Sequence, residues 1–367
     1  MLKAPRNDPL GANVNYNVLL VVNGREEITM SKRIMQVILT NILILILIAI
    51  VTDGNCQEWK LTGQQLYSPK TRHTPRAWSF ADDIEKETGG RVKFIKRFDA
   101  ASLIPATRAL PALAEGTLHL FLTAPLFHSG VDPVFVFTEI PGLATTRELK
   151  EKIIQDDEIM RIVQKAWNRQ GIQLIGYSCV SQQVWSFRKK LKSIDDMKGL
   201  QIAGSGGPYA DLVTAVGAVT VLTPPVERYE AMMRGVADGV ASTIDMLEDQ
   251  KFGETVIQIM LPPWHVYQMN PWLASKKLWD SFPEDIKAII NRVARIHLKK
   301  TGDAYDEDIA KGDDIRIIKK YNLDRLQLSK DDLIKLHKAY DVVIDKYATI
   351  STETKKLVDI WRAKYRH

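Results

Sequence analysis

The sequence predicts an α/β fold of two lobes joined by hinge strands, with a long helix toward the C-terminus. Three observations predict it. Strand-like and helix-like runs alternate from Glu58 to Thr123 and again from Leu200 to Ala241, as they do where a parallel sheet is covered by helices. Two extended runs, Ile172–Tyr177 and Trp264–Trp272, are placed to cross between the blocks. A helical pattern starts at Pro283 and runs to about Ala310. At 367 residues, 45% apolar and 26% charged, the chain can bury two cores.

The elements follow in order. Glu58–Leu66 reads as a strand. Thr74 and Pro75 make a helix start, cap then first residue, with Ala77, Phe80, Ala81 and Ile84 on its apolar face and Gly89-Gly90 as its stop. Val92–Phe98 is a strand, Pro105–Glu115 a helix closed by Gly116, and Leu118–Thr123 a strand. Glu148–Arg169 is helical, and Ile172–Tyr177 leads out of the lobe. The second lobe opens at Trp185–Arg188. Leu200–Ala203 is a strand, Gly204–Gly207 a turn, and Pro208 the first residue of a helix that Gly217 stops. Val219–Leu222, Tyr229–Arg234 and Ala237–Ala241 complete it as strand, helix and strand. Leu247–Met260 is expected to be helical, broken by Pro262-Pro263. The tail, Asp313–His367, is charged and helix-patterned, with Ser329 as a cap and Leu333, Leu336, Tyr340 and Val343 on one face.

The N-terminus carries an address. Met30–Arg33 is basic, Ile34–Val51 is apolar and uncharged, and Thr52–Cys56 is small and polar, which is the layout of a secretory signal peptide. An uncleaved membrane anchor or a lipidated Cys56 are the alternatives. Residues 1–29 read as a non-native or disordered extension, with Met30 as the true start. The expected organisation is therefore 1–29 extension, 30–56 signal or anchor, 57–180 first lobe with 268–300 returning to it, 181–267 second lobe, and 301–367 helical tail. Cys179 would be left alone once Cys56 is removed, so no disulfide is expected and Cys179 reads as a small buried apolar residue. Two α/β lobes behind an export signal, with two or more crossings, are the layout of a type II-like periplasmic binding protein that closes by a hinge.

Other function classes find no support. The net charge of +6 is spread along the chain, with no basic helix, zinc finger or RNA-recognition signature, so nucleic acid is not an expected partner. No HExxH, GxSxG or P-loop is present, and Gly204–Gly207 does not have dinucleotide spacing. No catalytic residue, metal ligand or cofactor is expected. The Gly204–Gly207 turn presents backbone N–H groups that could take a carboxylate, and reads equally well as a plain strand-to-helix turn.

Several motifs then point one way. Ser193-Ile194-Asp195-Asp196-Met197-Lys198-Gly199-Leu200 leads into a strand, and Glu227–Gly239 reads ERYEAMMRGVADG. Ala274–Trp279, Thr88–Arg91 and Ala114–Thr117 stand in matching order. From about Trp59 to about Ala310 the chain resembles the solute-binding proteins of TRAP (tripartite ATP-independent periplasmic) transporters, of the DctP type. Ala101–Ala106, Thr123–Pro125 and Asp132–Phe137 resemble the branch that binds α-keto and other monocarboxylic acids. The resemblance implies a periplasmic, non-enzymatic receptor. It would deliver a small organic acid to the small and large subunits of an ion-gradient-driven permease. A receptor of the same fold that signals rather than transports is the alternative, and the tail is a candidate homodimer surface.

The resemblance also implies where the ligand sits. The family's carboxylate-clamping arginine maps onto Ala203, and a second arginine position onto Gln182. A polar residue is expected near Ser242, and the metal-binding Glu and Trp of the α-keto acid branch are replaced by Val240-Ala241-Ser242, so no cation is implied. The expected ligand contacts are Gln182, Trp185, Ala203, Ser205, Gly206, Tyr209, Ser242, Trp264, His265 and Tyr267, with Trp272 nearby. Such a pocket, aromatic-walled and without arginine, would suit a neutral or amphiphilic molecule, an aromatic acid, or an acid held by the glycine turn.

Overall fold

The computed structural model describes residues 18–21, 27–30, 36–42 and 57–366. The chain divides into two units, Met1–Gln57 and Glu58–His367. In the first, Val18–Val21 pairs antiparallel with Glu27–Met30, and residues 36–42 are helical. Most of the expected signal segment lies outside the described residues. No described helix is long and apolar enough to cross a membrane.

The second unit is built on two sheets. The first runs Val92–Phe98, Trp59–Gln65, Leu120–Leu122, Gln268–Ser275, Ile172–Val180. Its first three strands are parallel, and Gln268–Ser275 runs antiparallel to both of its neighbours. The second runs Asp324–Gln327, Gln258–Leu261, Gln183–Phe187, Gly239–Thr243, Gln201–Gly204, Val219–Leu222. Its last three strands are parallel, as the alternation of strands and helices predicts. Both sheets are mixed because the strands that cross between lobes return antiparallel. The crossings, 180–183 and 261–268, are tied together where Gln183 N donates to His265 O at 2.9 Å and Trp264 N donates to Gln183 O at 3.0 Å.

One core runs through both lobes, joining Trp167 and Phe135 of the first to Trp185, Tyr209 and Leu212 of the second. Two satellite cores flank it. One, under helix His73–Glu87 and the long helix Glu284–Ala310, holds Phe80, Ile84, Trp272 and Ile286. The other, in the second lobe, holds Ala203, Met232, Val240 and Ile259.

Three expectations change. The helix expected at Leu247–Met260 is only Met246–Asp249, and Gln258–Leu261 is a strand. The chain turns at Lys251, whose φ is +60°, and Val256, Ile259 and Met260 are then buried in the sheet region. The first-lobe helix begins at His73, not at Thr74-Pro75. Thr74 spends its hydroxyl on Ser68 O at 2.8 Å and accepts from Gln65 Nε2 at 2.9 Å, so it is not a cap. The tail adds an unexpected strand, Asp324–Gln327, whose lone buried residue, Leu326, gives too little alternation to read.

The tail helices pack back onto the lobes. Ser329 caps Lys330–Ile350 as expected, accepting from Asp332 N at 3.1 Å. That helix lies against Pro208–Ala215 of the second lobe, and the last helix, Thr352–Lys364, against the first. Tyr340 Oη donates to Trp264 O at 2.7 Å, and Trp361 Nε1 to Leu143 O at 2.9 Å. Gly142, at φ +87°, makes this seat possible, because a Cβ there would stand 2.6 Å from Tyr340 Cβ. Gly142→Ala should lower unfolding stability by about 2–4 kcal/mol through overpacking and backbone strain together. An unchanged midpoint in chemical denaturation would show that the tail is not seated there.

Candidate ligand-binding cleft

Between the lobes lies a cleft of about 500 Å³ of empty space, its mouth included. Its walls are built from carboxyl ends of strands, where open α/β sheets place their ligands. Tyr67 and Ala124 follow two strands of the first lobe, and Ser205, Ser242 and Thr243 end or follow two of the second. Gln183 and Gln268 enter from the crossings, and Gln183 Nε2 donates to Gln268 Oε1 at 3.1 Å. Phe127, Met246 and Phe252 supply apolar wall.

Arg228 is the cleft's cation. It is the first residue of helix Arg228–Met233, which packs on the strand Gln201–Gly204, and is 7% exposed. Its Nε donates to Thr223 O at 3.2 Å, one terminal nitrogen to Ala241 O at 3.1 Å, and the other to Ser205 Oγ at 2.8 Å. All three acceptors are neutral. Burial pulls its pKa down to about 10, so the group stays charged at neutral pH. No acidic side chain lines the cleft.

Behind the cleft sits a polar knot. Glu139, with no exposure at all, ends the turn Pro133–Glu139 of the first lobe. Its Oε1 lies 3.0 Å from Lys150 Nζ and accepts from Met269 N at 3.0 Å. Its Oε2 accepts from Tyr209 Oη of the second lobe at 2.9 Å and lies 3.3 Å from His265 Nε2. Lys150 Nζ also lies 2.7 Å from His265 Nε2 and donates to Tyr267 O. Burial alone would raise the Glu139 pKa, but Lys150 holds it below the usual carboxylate range. Burial, then Lys150, push the His265 imidazole down to about 4. A neutral ring accepting from Lys150 fits that shift. Trp264 does not line the cleft; it is buried beside the knot, stacked on Trp185 with centroids 5.2 Å apart and edge-on to Tyr209 at 4.7 Å.

The structure sorts the expected contacts. Ser205, Tyr209 and Ser242 line the cleft together. Gln182 does not. It lines hollows on the far side of the crossing, beside Arg72 and Asp245 and beside Tyr340, while its neighbour Gln183 points into the cleft. Trp185 and Ala203 are buried in cores, and His265 belongs to the Glu139 knot. Tyr267 donates to Asp306 on the long helix. Gly206 stands beside Leu222 at the helix start. The expectation of a cleft without arginine is corrected by Arg228, which stood as an unassigned position between Glu227 and Tyr229. A basic residue opening a helix just past the carboxyl end of Val219–Leu222 was the signal available.

Comparison with known proteins gives one family. The model of the bacterial extracellular solute-binding proteins, family 7 (DctP), matches residues 63–349. A Haemophilus influenzae protein is 25% identical over 60% of this chain and 66% of its own length. The monocarboxylate 2-oxoacid-binding periplasmic protein of Nostoc sp. is 26% identical over 58% of this chain and 59% of its own. The chain thus spans about two thirds of these relatives or less. The C4-dicarboxylate-binding periplasmic protein DctP of Rhodobacter capsulatus is 24% identical over 72% of this chain and 75% of its own. Among solved structures, a TRAP solute-binding protein from Desulfovibrio salexigens with bound orotic acid has a TM-score of 0.76 at 21% identity, covering 84% of this chain and 99% of that one. A Bordetella pertussis receptor binding pyroglutamic acid has 0.74 at 16%, covering 83% and 99%. At these identities the structures show the shared fold.

Two outcomes test the knot. Glu139→Gln leaves the Lys150 ammonium buried without its counter-charge, and should cost on the order of 3–5 kcal/mol of stability. A loss below 1 kcal/mol in urea unfolding would mean that the carboxylate is not charged. Burial also holds His128 at about 4, as it does His265. Unfolded histidine titrates near 6.5, so the unfolded chain takes up protons between about pH 6.5 and 4 that the folded chain refuses. Stability is therefore expected in full above pH 6.5 and to fall steadily toward pH 4. A urea midpoint that stays level from pH 7.5 to 4.5 would contradict this.

Proposed function

As the chain belongs to family 7 of the bacterial extracellular solute-binding proteins, we propose that it captures a small monocarboxylate outside the cytoplasm. It then delivers that acid to an ion-gradient-driven TRAP permease. One observation carries the reading: a single buried cation, and no acidic side chain, among the residues lining the interlobe cleft. A buried charge is costly unless paired. One cation matches one carboxylate. A second carboxylate on the ligand would be desolvated without a partner, and so would an ammonium group. The apolar wall of Phe127, Met246 and Phe252 suits a hydrocarbon body. The amide pair Gln183–Gln268 suits one oxo or hydroxyl substituent. The monocarboxylate specificity named for the Nostoc relative supports the same class.

The test is thermal unfolding of the purified protein with aliphatic, 2-oxo, 2-hydroxy and aromatic monocarboxylates, C4 dicarboxylates, amino acids and neutral sugars. Monocarboxylates should raise the melting temperature, since a ligand at a hundredfold its Kd adds about 2.7 kcal/mol. A rise only with dicarboxylates, amino acids or sugars would overturn the ligand class. Uptake of the best acid by cells carrying the permease should need this protein and stop when the ion gradient is collapsed.

A further inference from the structure

The fold leaves the charge of Arg228 unused. Other partly or fully buried cations meet carboxylates. Lys150 faces Glu139 at 3.0 Å. Arg72 meets Glu248 and Asp249, and Arg147 meets Asp303 and Asp306 at 2.9 Å. Arg228 alone among the cleft residues is a buried cation answered only by two backbone carbonyls and a hydroxyl. A guanidinium has five N–H groups. The hydrogen bonds to Thr223 O, Ala241 O and Ser205 Oγ use three and leave one on each terminal nitrogen. Ser205 accepts from Arg228, so its own hydroxyl proton has no protein acceptor among the described residues. A fixed guanidinium, two spare N–H donors and a spare O–H donor therefore meet at one wall of the cleft.

We propose that Arg228 and Ser205 form the carboxylate anchor of this receptor, Arg228 as the charge and Ser205 as an oriented donor beside it. The carbonyls of Thr223 and Ala241 hold the guanidinium plane, so little rotamer freedom is lost when ligand arrives. The anchor stands on the second lobe, at the turn 223–228 and the end of the strand Gln201–Gly204. An acid bound there faces Phe127 and Tyr67 of the first lobe across the cleft. This inference rests on the organic-acid reading above and adds to it the residues that carry it.

The experiment uses the full chain, with 2-oxoisovalerate and benzoate as probes and benzamide as the uncharged counterpart, read by calorimetry. The wild type should bind at least one acid and discriminate against benzamide. Arg228→Met should weaken the acid at least thirtyfold. Arg228→Lys, which keeps the charge without the fork, and Ser205→Ala should each weaken it about three- to tenfold. The ligand-free Arg228→Met protein should melt no lower than the wild type, because an unpaired buried charge has been removed. A purely structural arginine would give the reverse, with a lower melting point and affinity intact. Folded Arg228→Met that binds within threefold of wild type overturns the anchor and leaves the receptor reading standing. If Arg228→Met fails to fold, Arg228→Lys and Ser205→Ala decide, and wild-type affinity in both overturns the anchor. If the wild type binds benzamide as well as benzoate and ignores 2-oxoisovalerate, the organic-acid reading falls and the anchor falls with it.

Discussion

The carboxylate of Glu139 is the point on which the two lobes agree. It is fully buried, and its hydrogen-bond partners come from three directions: Lys150 from the first lobe, Met269 from the strand that follows the returning crossing, and Tyr209 from the second lobe. A buried carboxylate needs its lone pairs filled and its charge answered. Those needs fix where Tyr209 must stand, and hence where the helix Pro208–Ala215 and the turn before it stand. Ser205 and Arg228 are carried by that same lobe. The placement of the cleft wall is thus set by a group that does not line the cleft.

Two buried cations illustrate how structural and functional polarity differ. Lys150 lies within 3.0 Å of an acid and touches a ring nitrogen and a carbonyl as well. Its charge is answered by the chain itself, so it contributes order. Arg228 is held in place by neutral oxygens only. That fixes its direction without neutralising it. In a core built for stability alone, such a residue would be replaced by something apolar of similar shape. Its place at a concave wall leaves that charge facing the cleft.

Much of the fold was legible because its signals are local. The cap at Ser329, the start of the long helix beside Pro283, and the parallel run through Gln201–Gly204 and Gly239–Thr243 depend on near neighbours in sequence. The segment after Asp249 was not legible. Its apolar residues fit a helix until Lys251 takes a positive φ, and they then serve the sheet. The site was half legible. Ser205 follows from the turn after a strand, and Tyr209 and Ser242 from the family resemblance. At the hinge, a register of one residue decides between Gln182 and Gln183, and side chains of an extended chain alternate sides. Arg228 was not legible because the family's arginine position maps onto residue 203. Ala203 is core there, packed in one cluster with Met232 from the helix that brings Arg228 to the cleft.

The same geometry sets how easily the cleft can open. Of the partners of Glu139, only Tyr209 belongs to the second lobe, so moving that lobe away breaks one hydrogen bond and leaves Lys150, Met269 and His265 in place. A hydrogen bond to a charged group is worth about 1.5–3 kcal/mol. Added to it are the contacts of Arg72 with Glu248 and Asp249, about a fifth exposed on the arginine side and weakened by solvent. The tail bridges the lobes as well. Its two helices meet at Ser351, and the first of them touches both lobes, packing on Pro208–Ala215 and seating Tyr340 against Gly142. The lobes also meet through the buried pair His73–Asp245 at 3.1 Å and through the core they share, so opening the cleft takes more than the loss of the Tyr209 hydrogen bond. A carboxylate bridging Arg228 to the first lobe would shift the balance toward closure by its preference for the closed state alone.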